Sequence, residues 1–378
     1  MKSKVCILTS VHPAFDVRIF YKEAKTLAKT GYNVVLIAQH TKEEIADGVR
    51  LVPLPKPRNR FERMTKVVGK LFMLAIKEKA EIYHLHDPEL IPIGLILKLF
   101  GKKVIYDVHE HYPNTVLDTY WIPRSLRDTT SNLFDLFEKV FVLFFDYVIY
   151  TTPIVGERYK ELKVRTERIE NYPLIELSEI FKKNPQKYII YLGGMTKIRG
   201  ITELIEAFNM VVKKYPEWRL YLVGSIEPPS FSKEIEQLIS KLNLKQNINL
   251  IPWVPYEEKE KLSSQASIGI VTYLPYPNNI SCLPNKLFDY MLVGLPVVAS
   301  NFPLYKEIVD TDRCGLIVDP LDPREVAKAI EYLIEHPDGA RKMGKKGKKA
   351  ILEKYNWEKE GRKLLEIYAR VLDNVRDG

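Results

Sequence analysis

The sequence predicts an α/β protein of two units, each an open parallel sheet covered by helices. Two observations carry this. Short apolar, β-rich runs alternate with helical patterns along most of the chain, which is the pattern of parallel sheets with helical crossovers. The alternation breaks off between 171 and 185 and restarts at Tyr188, and 378 residues suit two domains at roughly 150 each.

Taken in order, Val5–Thr9 is the first strand. Asp16 caps a helix reaching about Lys29, and Gly31 stands where a helix C-terminal glycine belongs. Val34–Ala38, Glu81–Leu85, Lys103–Asp107 and Asp146–Thr151 follow as strands, with an apolar helix from about Leu90 to Phe100. Asn171–Pro185 has turn residues and no period, and reads as a linker. Tyr188–Leu192 is a strand ending in Gly193 and Gly194, and Ile201, Leu204, Ile205, Phe208 and Val212 recur at helical spacing. Arg219–Gly224, Ile248–Ile251, Ile268–Tyr273, Pro296–Ser300 and Gly315–Val318 supply further strands. From Asp322 the chain reads as mostly helical, with a last helix opening at Trp357.

Composition narrows the function. Hydrophobic residues are 46% and charged residues 28%, the balance of a globular protein and not of a disordered or collagen-like one. The net charge of +9 is too diluted over this length to argue for nucleic acid by itself. Cys6, Cys282 and Cys314 are odd in number and far apart, so neither a disulfide framework nor a CxxC zinc pair arises, and a reducing cytosol is the expected compartment. Val5–Val11 is short and leads into His12, Asp16 and Arg18, a first strand and not a signal peptide. The aromatic-apolar run at 140–150 falls short of the roughly 20 residues a membrane span needs.

Ligands of open α/β sheets bind at the carboxyl ends of the strands, and two such units facing each other would make a cleft. No Gly-x-Gly-x-x-Gly follows the first strand, which argues against a standard dinucleotide dehydrogenase. The most informative stretch is Pro284–Ser300: a helix, a tight Gly-x-Pro turn and a buried strand. Backbone N–H groups around Leu283, Asn285 and Lys286 would form an anion site at the helix start. Asp289, one turn on, is placed to accept hydrogen bonds from ribose hydroxyls, or is a surface residue of an ordinary amphipathic helix.

This stretch resembles the donor-binding motif of the family 4 retaining glycosyltransferases of the GT-B fold. Asp289-Tyr-Met-Leu-Val-Gly-Leu-Pro-Val-Val-Ala299 matches the second half of that motif, with Asp for its second Glu. Ser281 stands where the family carries its first Glu, which contacts the donor sugar; Asn279, Ser281 and local backbone are the candidates to replace it. Tyr191-Leu-Gly-Gly-Met-Thr-Lys-Ile-Arg-Gly200 is similar to the family's strand, glycine turn and basic residue. Arg199 takes the position of a lysine that contacts the donor diphosphate. Gly194 takes that of the accompanying arginine, so Lys197 or Lys286 would supply the second charge. The alternative for Arg199 is a solvated residue before a helix.

His12-Pro-Ala-Phe-Asp-Val-Arg18 is similar to the first loop of one branch of these transferases. The resemblance implies that Arg18 points toward the cleft, and His12 has either a turn role or an acceptor-side role. His84, His86 and Asp87 follow one strand and His109 and His111 another. Alternation puts His84 and His86 on one face, a hint of metal ligation, but no further ligands recur at a metal spacing and the family generally needs no bound metal. His109 matches the family's histidine beside the transferred sugar, the alternative being a core or loop histidine; His86 and Asp87 are weaker acceptor-side candidates.

A basic amphipathic helix is predicted over Phe61–Lys79. Met64, Val67, Val68, Leu71 and Ala75 form one face and Arg63, Lys66, Lys70 and Lys77 another. It reads as a core helix with a solvated basic face, or as one lying on an anionic bilayer. Phe134, Phe137, Phe141, Phe144 and Phe145 make a second stripe that reads as core.

The resemblance thus implies GT-B: two Rossmann-like domains with parallel sheets facing a central cleft. An acceptor domain would span 1–172, with the helix at about 358–378 packing back on it, and a nucleotide-sugar domain 186–357. It implies a cytoplasmic hexosyltransferase of polysaccharide biosynthesis, peripheral on the membrane or free. Its substrates would be a nucleotide diphosphate sugar and a glycan, lipid-linked or small acceptor, with no cofactor and no metal. His109, Arg199 and Lys286 are the catalytic candidates. Gly193, Gly194, Lys197, Ser281, Leu283, Asn285 and Asp289 join Arg199 and Lys286 around the donor, and His12, Arg18, His86 and Asp87 lie on the acceptor side. The rival readings are a non-hydrolysing sugar-nucleotide epimerase on the same fold and a basic nucleic-acid-binding protein, the latter without an RNP-type motif to support it.

Overall fold

The computed structural model describes residues 3–119, 122–178 and 185–373. The chain divides into two compact units, one of Met1–Asn171 with Trp357–Gly378 and one of Tyr172–Asn356.

The first unit holds eight strands: β1 (Lys4–Pro13), β2 (Asn33–Gln39), β3 (Glu44–Ala46), β4 (Val49–Leu54), β5 (Ile82–Leu85), β6 (Lys103–Val108), β7 (Tyr147–Tyr150) and β8 (Thr166–Arg168). Their order is β3-β4-β2-β1-β5-β6-β7-β8, parallel except for the β3–β4 pair. Sequence reading missed β3, β4 and β8. The β3–β4 turn is Asp47-Gly48, both at positive φ, which suits a tight hairpin turn.

Alternation along the strands sorts the two faces. Leu8, Val35, Tyr83, Leu85, Tyr106 and Val108 join one core, against Leu71, Leu97 and Val142 of the helices Val68–Glu78, Ile91–Leu99 and Arg124–Val142. Intervening residues of β5 and β6, His84 and Asp107 among them, therefore face the other way. That second face is covered by the first helix and the last. Trp357 Nε1 donates to Thr26 Oγ1 at 2.9 Å, and Tyr368 Oη lies 2.9 Å from His84 Nδ1, so the helix Trp357–Asp373 closes the first unit.

The predicted first helix exists, but its opening segment, Val17–Ala24, is π-helical before Lys25–Lys29 turns α-helical. Asp16 caps it, accepting from the Arg18 and Ile19 backbone N–H groups. The basic helix also changes winding, with a π segment at Arg63–Val67 before Val68–Glu78.

The second unit is a wholly parallel six-stranded sheet of β9 (Tyr188–Leu192), β10 (Arg219–Val223), β11 (Ile248–Ile251), β12 (Ile268–Val271), β13 (Val297–Ser300) and β14 (Gly315–Val318). The order is β11-β10-β9-β12-β13-β14. All six match the sequence expectation to within two residues. β9, β12 and β13 are buried along their whole length, as the nearly unbroken apolar run of β9 requires, while β10, β11 and β14 are half-exposed in part. No helix among the described residues is long and apolar enough to cross a membrane.

Candidate functional site

In the second unit the chain leaves β9 toward β10 on one side, while β12 lies on the other. Such a switch point opens a crevice at the strands' carboxyl ends. Gly193 and Gly194 follow β9 there, and Tyr273 follows β12. Gly193 has φ +108°, and Gly224, at φ +141°, passes so close that a Cβ on it would meet the Gly193 carbonyl oxygen at 2.3 Å. Arg199 ends a short 3₁₀ turn, Lys197–Arg199, closed by Gly200 at φ +71°, where a Cβ would strike the Thr272 carbonyl oxygen at 2.1 Å.

Two cations converge at this crevice. The Arg199 guanidinium lies 4.2 Å from the Tyr273 ring centre and donates to Asn279 Oδ1 at 3.1 Å. Asn279 Nδ2 donates to the Ile198 and Leu274 carbonyls, fastening the Arg199 turn to the helix Pro277–Ser281. The Lys286 ammonium lies 3.3 Å from the Tyr191 ring centre and 4.8 Å from that of Tyr273, buried and without a hydrogen-bonding partner among the described residues. Burial pushes its pKa well below the usual lysine value, and the neighbouring Arg199 charge adds to this. A buried lysine beside a guanidinium is a place where an anion would be favourably received.

The other expected donor residues take the following places. Lys197 is exposed and paired with Glu234 at 2.8 Å, so the structure brings Lys286, not Lys197, to Arg199. Ser281 is buried and its hydroxyl donates to the Pro277 and Asn278 carbonyls, closing its own short helix. Pro284 precedes the helix Asn285–Leu292 as its cap residue; Asn285 is exposed and Leu283 half-buried. Asp289 is buried, and its Oδ2 accepts from the Lys259 ammonium at 2.8 Å, with Glu260 beside that lysine. Sequence reading missed Lys259, which stands thirty residues away in a helix of no distinctive motif.

In the first unit the switch point falls between β1 and β5. Asp87, just after β5, accepts from Thr9 Oγ1 at 3.0 Å and the Ser10 backbone N–H at 2.6 Å, latching the end of β1. His12 lies between Asp16 (3.5 Å) and Asp87 (3.7 Å), and its ring centre is 5.5 Å from that of His109. Burial works against the His12 charge, but the carboxylates around it leave its pKa raised. His109 Nε2 is 2.9 Å from His86 Nδ1. Burial drives His109 down to about 3, the Arg18 and His12 charges assisting against the opposing Asp107 carboxylate, so it is neutral at ordinary pH.

The sequence reading aims Arg18 toward the cleft; its guanidinium is buried instead, doubly bonded to Asp107 (2.8 and 3.0 Å) and bonded to the Ile169 carbonyl, with Glu23 Oε1 2.9 Å from Nε. The π-helical winding explains the last contact, because i→i+5 bonding stacks residues five apart. Glu23, His84, His86 and Asp107 offer possible cation-binding atoms within 4.8 Å of one another. The guanidinium between both carboxylates already supplies the positive charge there, so the group does not fit a divalent ion.

The comparisons with known proteins meet these two centres. The model "Glycosyltransferase Family 4" matches residues 17–172 and "Glycosyl transferases group 1" matches residues 176–350. The chain belongs to the group 1, family 4 glycosyltransferases.

This glycosyltransferase has the GT-B fold of its structural neighbours. It superposes on a sucrose-phosphate synthase from Thermosynechococcus elongatus with TM-score 0.78 at 21% identity, covering 99% of this chain and 100% of that one. On the Anabaena HepE protein with UDP and glucose the TM-score is 0.74 at 14% identity, covering 98% and 100%. Among curated relatives, an uncharacterized glycosyltransferase of Haemophilus influenzae is 26% identical over 47% of each chain. An MMP alpha-(1->4)-mannosyltransferase of Mycolicibacterium hassiacum is 23% identical over 77% of this chain and 71% of its own. The chain spans about half the length of the first curated relatives it matches.

Proposed function

We propose that this chain transfers a hexose from a nucleotide diphosphate sugar to a glycan, lipid-linked or small acceptor, with retention of anomeric configuration and without a cofactor or metal ion. The observation that carries the reading is the meeting at the Tyr273 ring of Arg199 and Lys286, whose ammonium has no hydrogen-bonding partner among the described residues. As the sugar–phosphate bond breaks, positive charge grows at the anomeric carbon and negative charge on the departing diphosphate. Arg199 and Lys286 stabilise that diphosphate, the guanidinium offering two parallel donors to phosphate oxygens. Gly193, Gly194, Leu283 and Asn285 supply backbone around the phosphates, and Asp289 takes the ribose. His109 attends the transferred sugar as a neutral imidazole, with His12, His86 and Asp87 on the acceptor side. Arg18 and Ser281 hold structure, and Lys197 drops out of the donor set. The Anabaena neighbour holds UDP and glucose and a curated relative is named a mannosyltransferase, which supports a nucleotide-sugar donor.

A thermal-shift screen of nucleotide diphosphate sugars tests the reading, since a ligand that binds only the native state raises its melting temperature. The matching donor should stabilise the parent and not the Arg199→Ala, Lys286→Met double variant. Equal stabilisation of both would defeat the assignment. Activity undiminished by EDTA is expected, and activity lost to EDTA and restored by manganese would contradict the metal-free chemistry.

The reading includes a cytoplasmic location with peripheral contact on an anionic membrane, and one layer of the first unit supports the contact. Phe61 and Met73 on the basic helix, Leu99 and Phe100 at the end of its neighbour, Leu136 on the third helix and Phe144 just after it are all exposed. Arg63 is engaged with Glu89 at 2.8 Å, which leaves Lys66, Lys70 and Lys77 of the expected basic face. Exposed apolar side chains among lysines are the composition of an anionic-bilayer surface. Co-sedimentation with phosphatidylglycerol vesicles should fall when Leu136 and Phe144 both become Ser. Unchanged co-sedimentation would remove this part of the proposal.

A further inference from the structure

Behind His109, on the second face of the first unit's sheet, lies a buried cluster whose charges do not balance as ordinarily drawn. Arg18 contributes one positive charge; Asp107 and an ionised Glu23 would contribute two negative ones. All three side chains are at least 96% buried. The groups facing Glu23 are Arg18 and Asp16 at its own helix, His84 and His86 on and after β5, Asp107 on β6 and Tyr368 on the last helix. The groups facing His109 are His86, Asp107, Arg18, His12 and Asp16. A second buried carboxylate without its own cation is costly, and one proton makes the cluster neutral.

The contacts bear on where that proton lies. Asp107 receives the Nε–H and Nη2–H of the guanidinium and is the carboxylate of the pair. Glu23 Oε1 lies 2.9 Å from Arg18 Nε, whose one hydrogen goes to Asp107 Oδ2, so Oε1 faces the guanidinium charge without accepting a hydrogen bond from it. Oε2 lies 3.2 Å from His86 Nε2, and with Glu23 drawn ionised neither atom has a hydrogen-bonding partner among the described residues. His86 Nδ1 in turn meets His109 Nε2 at 2.9 Å.

We propose that Glu23 is a positioning residue that carries a proton on Oε2 and, through His86, fixes the proton of His109 on Nδ1. Oε2–H donates to His86 Nε2, His86 Nδ1–H donates to His109 Nε2, and His109 Nδ1 remains the ring's donor. Burial, with the Asp107 carboxylate adding and Arg18 opposing, raises the Glu23 pKa well above its usual value, in the direction this state needs. When Glu23 ionises, one proton moves along each link. Oε2 gives its proton to His86 Nε2, His86 Nδ1 gives one to His109 Nε2, and His109 Nδ1 releases one to solvent. His109 then offers a lone pair where it had offered a donor. The catalytic meaning of this rests on the reading of His109 beside the transferred sugar; the tautomer itself does not.

The test is nitrogen NMR of the full chain with ¹⁵N-labelled imidazoles, assigned with His86→Gln and His109→Gln variants. At neutral pH His109 should show a protonated Nδ1 and a bare Nε2. Raising the pH should exchange the two in the parent and leave Glu23→Gln, whose amide mimics the protonated acid, unchanged. Glu23→Gln should keep turnover near the parent's and Glu23→Ala should lose about tenfold or more. A bare His109 Nδ1 in the neutral parent would overturn the proposal, as would identical pH behaviour in parent and Glu23→Gln, or stoichiometric metal in the purified protein. If His109→Ala left turnover intact, the reading of His109 would fail separately.

Discussion

The Lys286 ammonium sits 3.3 Å from the centre of the Tyr191 ring, held by aromatic faces and, among the described residues, by no carboxylate hydrogen bond. Such a lysine is easily deprotonated, and an arriving diphosphate would restore its charge. Nucleoside diphosphate binding at alkaline pH should therefore take up about one proton from buffer. Calorimetry in buffers of different ionisation enthalpy measures this. Lys286→Met should abolish the uptake and weaken binding about tenfold or more. Buffer-independent heats in the parent would refute the role given to Lys286.

Gly200 ends the turn that carries Arg199. Its φ of +71° and the 2.1 Å approach of a built Cβ to the Thr272 carbonyl leave no space for a side chain. Gly200→Ala should destabilise the protein by about 1–3 kcal/mol and weaken diphosphate binding more than nucleoside binding. Chemical denaturation and calorimetry together check this, and an unchanged stability would show that the turn relaxes freely.

Asp289 shares its carboxylate with Lys259. Asp289→Ala should lower nucleotide affinity about tenfold, the worth of a charge-assisted hydrogen bond to a ribose hydroxyl. Asp289→Glu should retain most of the affinity, and Lys259→Met should lose less than Asp289→Ala. Equal losses in Lys259→Met and Asp289→Ala would mean that the pair only shapes the helix.

Glu170 is buried in the first unit, and its backbone N–H donates to Glu360 Oε2 at 2.9 Å. Burial first, then the Glu360 carboxylate, raise its pKa to about 7, against the pull of Arg168. A raised carboxyl stabilises the fold fully below its unfolded pKa of 4.5, and that contribution is lost as pH rises through about 7. Glu170→Gln should match the parent near pH 4.5 and exceed it by on the order of 2 kcal/mol at pH 8. Parallel stability curves for the two proteins would rule out the shift.

The second unit was almost wholly legible in the sequence because its strands are short, apolar on both faces and bounded by glycine turns, as at Tyr188–Gly194. The Asp289–Ala299 motif is contiguous, so its helix and turn could be read in place. In the first unit Asp47-Gly48 was a hairpin signal that went unread, and Pro53 in β4 argued against a strand. Arg18 was misplaced because an α-helical spacing does not join it to Glu23; only the π-helical winding does. The Lys259–Asp289 pair and the Glu23–His86–His109 chain join residues far apart in sequence, and no local pattern announces them.

Proton NMR of a turnover mixture tests the central claim most directly. The donor selected by thermal shift is incubated alone and with a glycan and lipid acceptor extract. Nucleoside diphosphate should appear only with acceptor, and the product should carry the sugar in the donor's anomeric configuration. Conversion of the donor alone to an epimeric sugar nucleotide, or a product of inverted configuration, would contradict the account.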